Sequence, residues 1–196
     1  MPGVSGAVAR RLVVLAIALV ATAPVAHAQA YLGLGGGGTL PVGQTAKASA
    51  IGWNGLAFVG FGTPDIPLGI RFDGLFSRLQ YKDKGPYENI YSGTANLVAP
   101  LSQGSTLVPY LIGGLGFYEL QRPGQKTLTE FTPGGPETVT FYPYGASTGA
   151  FGLNGGLGIR TWSGNKFGIF LEARFHYVFS RKPSTPFVPL TVGFTF

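Results

Sequence analysis

The clearest structural signal in the sequence is Ile-Phe-Leu-Glu-Ala-Arg-Phe-His-Tyr-Val-Phe, residues 169–179. Every second residue, from Ile169 to Phe179, is apolar, whereas Glu172, Arg174 and His176 fall on the opposite, mixed face. Successive side chains of a strand point to opposite faces of its sheet, so this alternation is the signal of a β-strand. The stretch therefore predicts a strand with one apolar and one partly charged face.

The same alternation recurs along the chain. Residues 68–77, 151–161 and 188–196 repeat it clearly, and weaker strands are predicted at 30–37, 52–62, 91–101 and 107–118. The total is eight strands, and their lengths match the ~9 to 11 residues with which a tilted strand crosses a bilayer. No apolar run after the N-terminal segment approaches the ~20 residues of a membrane-spanning helix.

The connections between these strands alternate in length. Long connections are predicted at 38–51, 78–90 and 119–150, the last of which can be partly strand with ends that the sequence leaves open. A medium connection is predicted at 180–187, and short ones at 63–67, 102–106 and 162–166. In a closed up-and-down sheet, odd and even connections emerge at opposite ends, and short turns at one end are typical of outer-membrane barrels. We therefore predict an all-β fold, an eight-stranded antiparallel up-and-down transmembrane β-barrel.

Composition agrees with this class of protein. Of 196 residues, 45% are hydrophobic and 11% are charged, where a soluble domain has about 25% charged residues. The mean hydropathy is +0.25, which is too apolar for a disordered chain. There is no cysteine, which excludes a disulfide framework and a thiolate metal site.

The N-terminal segment has the features of an export signal. Arg10 and Arg11 precede an apolar stretch that Pro24 ends, and Ala26 and Ala28 supply the small residues that a signal peptidase reads. We predict a cleaved signal peptide at residues 1–28 and a barrel at residues 29–196, exported to the cell outer membrane.

The charges within the clearest strands share the non-apolar face. They are Arg71, Asp73, Arg160, Glu172 and Arg174. Each would cost several kcal/mol in hydrocarbon, whereas in a polar lumen they can pair. We expect one ion-pair network inside the barrel with a structural role, because pairing itself accounts for these residues. An eight-stranded barrel is just wide enough to be filled by side chains, so no wide pore is expected.

Basic residues concentrate in the connections predicted to be external. Those considered for contact with lipopolysaccharide phosphates are Arg78, Lys82, Lys84, Arg122, Arg181 and Lys182. Solvated loop charge is an equally good interpretation. Aromatic residues at strand ends are expected in the interfacial girdles, namely Trp53, Tyr91, Tyr118, Trp162 and Tyr177.

Motifs for catalysis or cofactors are sparse. The run Gly33 to Gly38 satisfies G-x-G-x-x-G, but Pro41 follows where a helix should begin. His176 is the only histidine after the signal segment and is predicted to face the lumen, away from any serine and acid set on the outer surface. We expect no catalytic residue, no cofactor, no metal site and no nucleic-acid partner.

The chain resembles the small outer-membrane β-barrel family of the OmpA transmembrane domain, OmpX and OmpW. The resemblance rests on the order of the segments, above all residues 109–117, 151–160, 172–175 and the terminal 192–196. It implies a Gram-negative outer-membrane protein, and a terminal Phe196 that forms part of the signal read by the barrel-assembly machinery.

Three functional classes follow. The leading one is a monomeric structural or surface-interaction barrel whose external loops meet lipid, ligand or host. The second is an OmpW-like conduit for small hydrophobic molecules, which would need a lipid-exposed opening between strands. The third is a lipid A-modifying enzyme, which would need an outward Ser, His and acid cluster. A periplasmic lipocalin-like binder would need a polar exterior that these strands lack.

Overall fold

A computed structural model of the protein describes residues 29–63, 66–82, 87–102, 105–123, 126–132, 135–141, 144–163, 167–180 and 184–196. The signal segment predicted at residues 1–28 lies outside these ranges. Within them, eight strands form a closed antiparallel barrel in which each strand is hydrogen-bonded to two neighbours. The predicted fold class is confirmed.

Ten strands are present in the described ranges. They are β1 (Gln29–Pro41), β2 (Ser49–Thr63), β3 (Ile66–Tyr81), β4 (Tyr87–Pro100), β5 (Leu107–Pro123), β6 (Lys126–Thr132), β7 (Gly135–Phe141), β8 (Tyr144–Ser163), β9 (Phe167–Val178) and β10 (Thr185–Thr195). The barrel order is β1-β10-β9-β8-β5-β4-β3-β2, and β6 pairs with β7 in a separate two-stranded sheet. β1 closes the barrel by pairing with β10, with Gly33 opposite Thr195.

The strands are longer than predicted, and the connections are correspondingly shorter. The connection expected at 119–150 is largely strand, since β5 runs to Pro123, β8 starts at Tyr144, and the β6–β7 hairpin lies between them. The connection expected at 38–51 contains a short helix, α1 (Gln44–Ala48). None of the described helices is long and apolar enough to cross a membrane.

The alternation of side chains along β9 is as predicted. Leu171, Phe175 and Tyr177 are 52%, 44% and 38% exposed on the outer wall. Glu172 and Arg174 are each only 2% exposed, on the opposite face. The exposed large side chains on the other barrel strands are also overwhelmingly apolar. The barrel thus has an apolar outer wall and a lumen that holds its buried charges.

Apolar side chains fill much of the lumen. The larger buried cluster includes Leu56, Leu79, Ile90, Leu120 and Phe187, and a smaller one consists of Val98, Tyr110 and Ile112. Glycine gives the lumen room for its bulkier residues, since a Cβ on Gly33 would clash with the Phe58 ring.

Candidate functional site

Four charged side chains meet in the middle of the lumen. The Arg71 guanidinium lies 2.9 Å from Asp73 Oδ1 and 2.8 Å from Glu172 Oε2. Arg174 completes the square, with Nη1 at 2.6 Å from Asp73 Oδ2 and Nε at 2.7 Å from Glu172 Oε1. The side chains of all four are at most 3% exposed. These contacts join two cations and two anions in a closed ring with no net charge. We call the four residues the central charge cluster.

Neighbouring side chains complete the hydrogen bonding of this cluster. The Tyr110 hydroxyl donates to Glu172 Oε2 at 2.7 Å. The guanidinium of Arg71 also lies 4.2 Å from the centroid of the Phe58 ring, within the range of a cation–π contact. A buried ion pair is tolerated when its geometry is good and further hydrogen bonds satisfy its atoms, and these residues meet that condition.

Arg160 has a different place from the other four predicted network residues. Its guanidinium lies 5.7 Å from the Tyr31 ring centroid and 5.9 Å from that of Tyr110. Together with Tyr31, Val98 and other residues it lines a small pocket of about 90 Å³. Arg160 therefore lies next to the central charge cluster, on the far side of Tyr110, whose hydroxyl donates to Glu172.

His176 lies in the lumen beside Tyr118. Its ring is fully buried, its Nδ1 is 2.8 Å from the Tyr118 hydroxyl, and it stacks on Phe187 with a centroid distance of 4.9 Å. Tyr118 is itself fully buried, so the prediction that it belongs to an outer girdle is wrong. It lies well inside β5, which continues to Pro123, and the alternation of inward and outward side chains along that strand points it into the lumen.

The end of the lumen next to α1 contains a second ion pair. Arg122 Nε lies 2.7 Å from Glu88 Oε1, and its Nη2 donates to the Thr185 hydroxyl at 2.7 Å. Glu88 is 3% exposed. Arg122 was a candidate for lipopolysaccharide contact, but the structure places its charged head against a lumen carboxylate.

Arg78 lies on the outer wall, on the opposite face of β3 from Arg71 and Asp73. Its Nε donates to Asn89 Oδ1 at 2.9 Å. Its guanidinium lies 5.1, 5.9 and 6.0 Å from the ring centroids of Tyr87, Phe76 and Trp53. Lys82 is exposed just after β3, and the other candidates for lipopolysaccharide contact, Lys84, Arg181 and Lys182, lie outside the described residues.

Phe196 is held to β1 by its main chain. Its N–H donates to the Leu32 carbonyl at 3.0 Å and its carbonyl accepts from the Leu32 N–H at 2.8 Å, while its side chain is 50% exposed. The described residues contain no group of three or more His, Cys, Asp or Glu side chains that could hold a metal ion.

Comparison with known proteins yields matches of structure only. No protein-family model matches the chain, and no curated protein matches it. Neisserial surface protein A superposes with a TM-score of 0.60 at 17% identity, covering 86% of this chain and 97% of that one. This chain has the fold of the small outer-membrane β-barrels.

Two further structures are similar to this small barrel at lower identity. Ail of Yersinia pestis, in complex with the heparin analogue sucrose octasulfate, has a TM-score of 0.50 at 13% identity and covers 87% of this chain and 99% of that one. The outer membrane enzyme PagL has a TM-score of 0.47 at 12% identity, covering 86% and 99%.

Proposed function

We propose that this protein is a small integral outer-membrane barrel with a structural or surface-interaction role, which it performs through the segments at its external end. The observation that carries the proposal is the contrast between the two faces of the strands. The outer wall is apolar, and the lumen is filled by buried charged, polar and aromatic side chains. Such a barrel suits a membrane-embedded scaffold better than a diffusion pore.

The element order supports an orientation. Gln29 and Phe196 lie at the same end as the last residues of β2, β4 and β8, where two to six residues separate each strand from the next. The opposite end carries α1, the last residues of β3 and β9, and the β6–β7 hairpin between β5 and β8. In outer-membrane barrels the longer connections are external. The β6–β7 hairpin is therefore proposed as the main surface that this protein presents outside the cell.

The lumen supports the absence of a wide pore. The central charge cluster joins β3 to β9 across the lumen, through Arg71 with Glu172 and Arg174 with Asp73. Tyr118, His176 and Phe187 pack together toward the external end. Opening a continuous channel would require breaking buried ion pairs, which is costly.

The alternative roles find less support. An OmpW-like conduit needs a gap between neighbouring strands, whereas the described barrel strands form a closed hydrogen-bonded ring. A lipid A-modifying enzyme needs an outward histidine, whereas His176 is fully buried in the lumen. We propose outer-membrane lipid, including lipopolysaccharide, as the surrounding partner, and the barrel-assembly machinery as the reader of Phe196.

Single cysteines test the orientation directly, because the chain has none of its own. Thr138→Cys lies in β7 of the hairpin, and Ser105→Cys lies in a connection at the other end. In intact cells, a membrane-impermeant maleimide should label Thr138→Cys and should label Ser105→Cys only after the outer membrane is permeabilised. Labelling of Ser105→Cys alone would reverse the orientation and contradict the proposal.

The filled lumen has its own test. In planar bilayers the purified protein should show no large, stable conductance, whereas a general porin run as a control should. Folding is checked on the same sample, since a closed barrel should migrate differently in electrophoresis before and after boiling. A folded sample with steady porin-like conductance would show that the lumen is open.

A further inference from the structure

The outer wall of β2, β3 and β4 carries a polar and aromatic group of residues at its external end. Register places Trp53 beside Arg78, and Arg78 beside Asn89. The next pair toward the middle of the barrel is Phe76 with Tyr91. We propose that Arg78 binds a phosphate of a lipopolysaccharide molecule in the outer leaflet, and we call Arg78, Asn89, Trp53, Phe76 and Tyr87 the Arg78 site.

The level of the site along the barrel is that of lipid headgroups. Trp53, Tyr87 and Tyr91 are 51%, 43% and 43% exposed on the outer wall, and such rings mark the interface between hydrocarbon and water. Farther along the same strands, the outer wall carries Phe72, Ile70 and Leu97. An arginine at this height reaches the headgroups while its apolar stem stays on the wall.

The guanidinium is oriented before any ligand arrives. Asn89 accepts the hydrogen bond from Nε, and three aromatic rings lie within 6.0 Å of the guanidinium carbon. The hydrogen bond uses Nε, and the ring distances are measured from Cζ. The two Nη groups have no hydrogen bond to any described residue, so they can form the paired hydrogen bonds with which arginine binds a phosphate.

The positive charge of Arg78 has no carboxylate partner among the described residues. Arg71, Arg174 and Arg122 each contact a carboxylate. None of the ion pairs among the described residues involves Arg78, although it lies beside a lipid-facing aromatic cluster. Lys82, four residues on, is exposed at the same end of β3 and adds to the positive charge. A phosphorylated lipid supplies both the missing anion and an apolar body to pack on the wall.

This inference rests on the orientation in the proposed function and goes further by assigning a ligand to a defined site. The test uses the full barrel in detergent micelles, titrated with bisphosphorylated lipid A, and native mass spectrometry counts the bound lipid. Arg78→Gln should weaken binding about tenfold or more, because the charge and the paired donors are lost. Arg78→Lys keeps the charge alone and should fall between parent and Arg78→Gln.

Matched controls separate a built site from diffuse charge. Lys47→Gln removes one positive charge from α1 at the same end and should bind within about twofold of the parent. Dephosphorylated lipid A should bind the parent as weakly as lipid A binds Arg78→Gln. A large excess of inorganic phosphate should leave lipid binding unchanged. Each variant is first shown to be folded by its migration before and after boiling.

Three results would overturn the proposal. They are equal losses in Arg78→Gln and Lys47→Gln, equal binding of phosphorylated and dephosphorylated lipid, or displacement of the lipid by inorganic phosphate, which would assign the site to a soluble anion. If cysteine labelling supports the orientation and Arg78→Gln still binds like the parent, only the Arg78 site fails. If the labelling is reversed, the proposed function fails as well.

Discussion

The lumen face and the outer face of the same strands obey different requirements. On β9, Glu172 is bound by Arg71, Arg174 and Tyr110, whereas Phe175 is 44% exposed on the wall. In the central charge cluster each side chain has specific partners at hydrogen-bond distance, so its chemical identity matters. At an outer-wall position such as Phe175, only apolar character and approximate size matter.

Glycines show the same contrast in terms of space. Gly116 on β5 faces the lumen, and a Cβ there would lie 2.3 Å from the carbonyl oxygen of Gly93. Gly93 on β4 faces outward, and a Cβ there would meet nothing within 4 Å. Some lumen positions therefore require glycine, whereas the outward position of Gly93 has room for a larger residue.

The largest effect is expected from breaking the central charge cluster. Glu172→Ala leaves Arg71 and Arg174 sharing one carboxylate in a buried site, and should lower the free energy of unfolding by about 3 to 5 kcal/mol. Urea titration of the barrel in micelles measures this. Glu172→Gln keeps an acceptor and should lose less; equal stability of Glu172→Ala and the parent would mean that water reaches the cluster.

A charge on the outer wall should cost somewhat less. Phe175→Arg places a guanidinium on the apolar outer wall of β9, three residues before its end, and should destabilise the barrel by about 2 to 4 kcal/mol in a lipid bilayer if this level lies in hydrocarbon. Phe175→Leu, which stays apolar, is the control and should remain within about 1.5 kcal/mol of the parent. Stability unchanged by Phe175→Arg would show that this face does not meet hydrocarbon.

Gly116 and Gly93 should differ in how well they accept a methyl group. Gly116→Ala forces a Cβ against the backbone of β4 and should destabilise by about 1 to 3 kcal/mol. Gly93→Ala, which adds the same methyl group to open space, should stay within about 0.5 kcal/mol of the parent. The free energies of unfolding of both variants are measured under identical conditions. A larger loss of stability in Gly93→Ala than in Gly116→Ala would contradict the assigned faces.

The smallest effect on stability is expected at Phe196. Its ring is half exposed, so its deletion should cost only about 1 to 2 kcal/mol by area. If Phe196 is part of an assembly signal, the deletion should reduce the amount inserted in cells while refolding into micelles stays nearly intact. A parallel decrease in both measurements would make the residue purely structural.

Much of the barrel could be predicted from local pattern. A period of two fixes which face a strand residue occupies, so the inward positions of Arg71, Asp73, Glu172 and Arg174 follow from their neighbours alone. The number of strands follows from the spacing of the alternating segments. The Arg71–Glu172 contact, across 101 positions of sequence, depends on how the strands are staggered around the closed ring, which no local pattern contains.

Height along the barrel and the ends of strands could not be read from alternation. Arg160 shares the lumen face with Arg71, and its place beside Tyr31 is known only from the structure. Tyr118 was assigned to a girdle because β5 was predicted to end there, five residues before its observed end. Strand structure within 119–150 was left open, and its repeated Thr, Pro and Gly gave no bounds for the strands of the β6–β7 hairpin.

The class of fold, the number of barrel strands and the face of each clearly alternating side chain could be predicted, because they follow from the period of a strand and from the low charge content. The pairing of the charges, the contact of Arg122 with Glu88 and the place of Arg78 among three aromatic rings are known only from the folded barrel. These contacts join residues of different strands, and register and barrel closure bring those strands together.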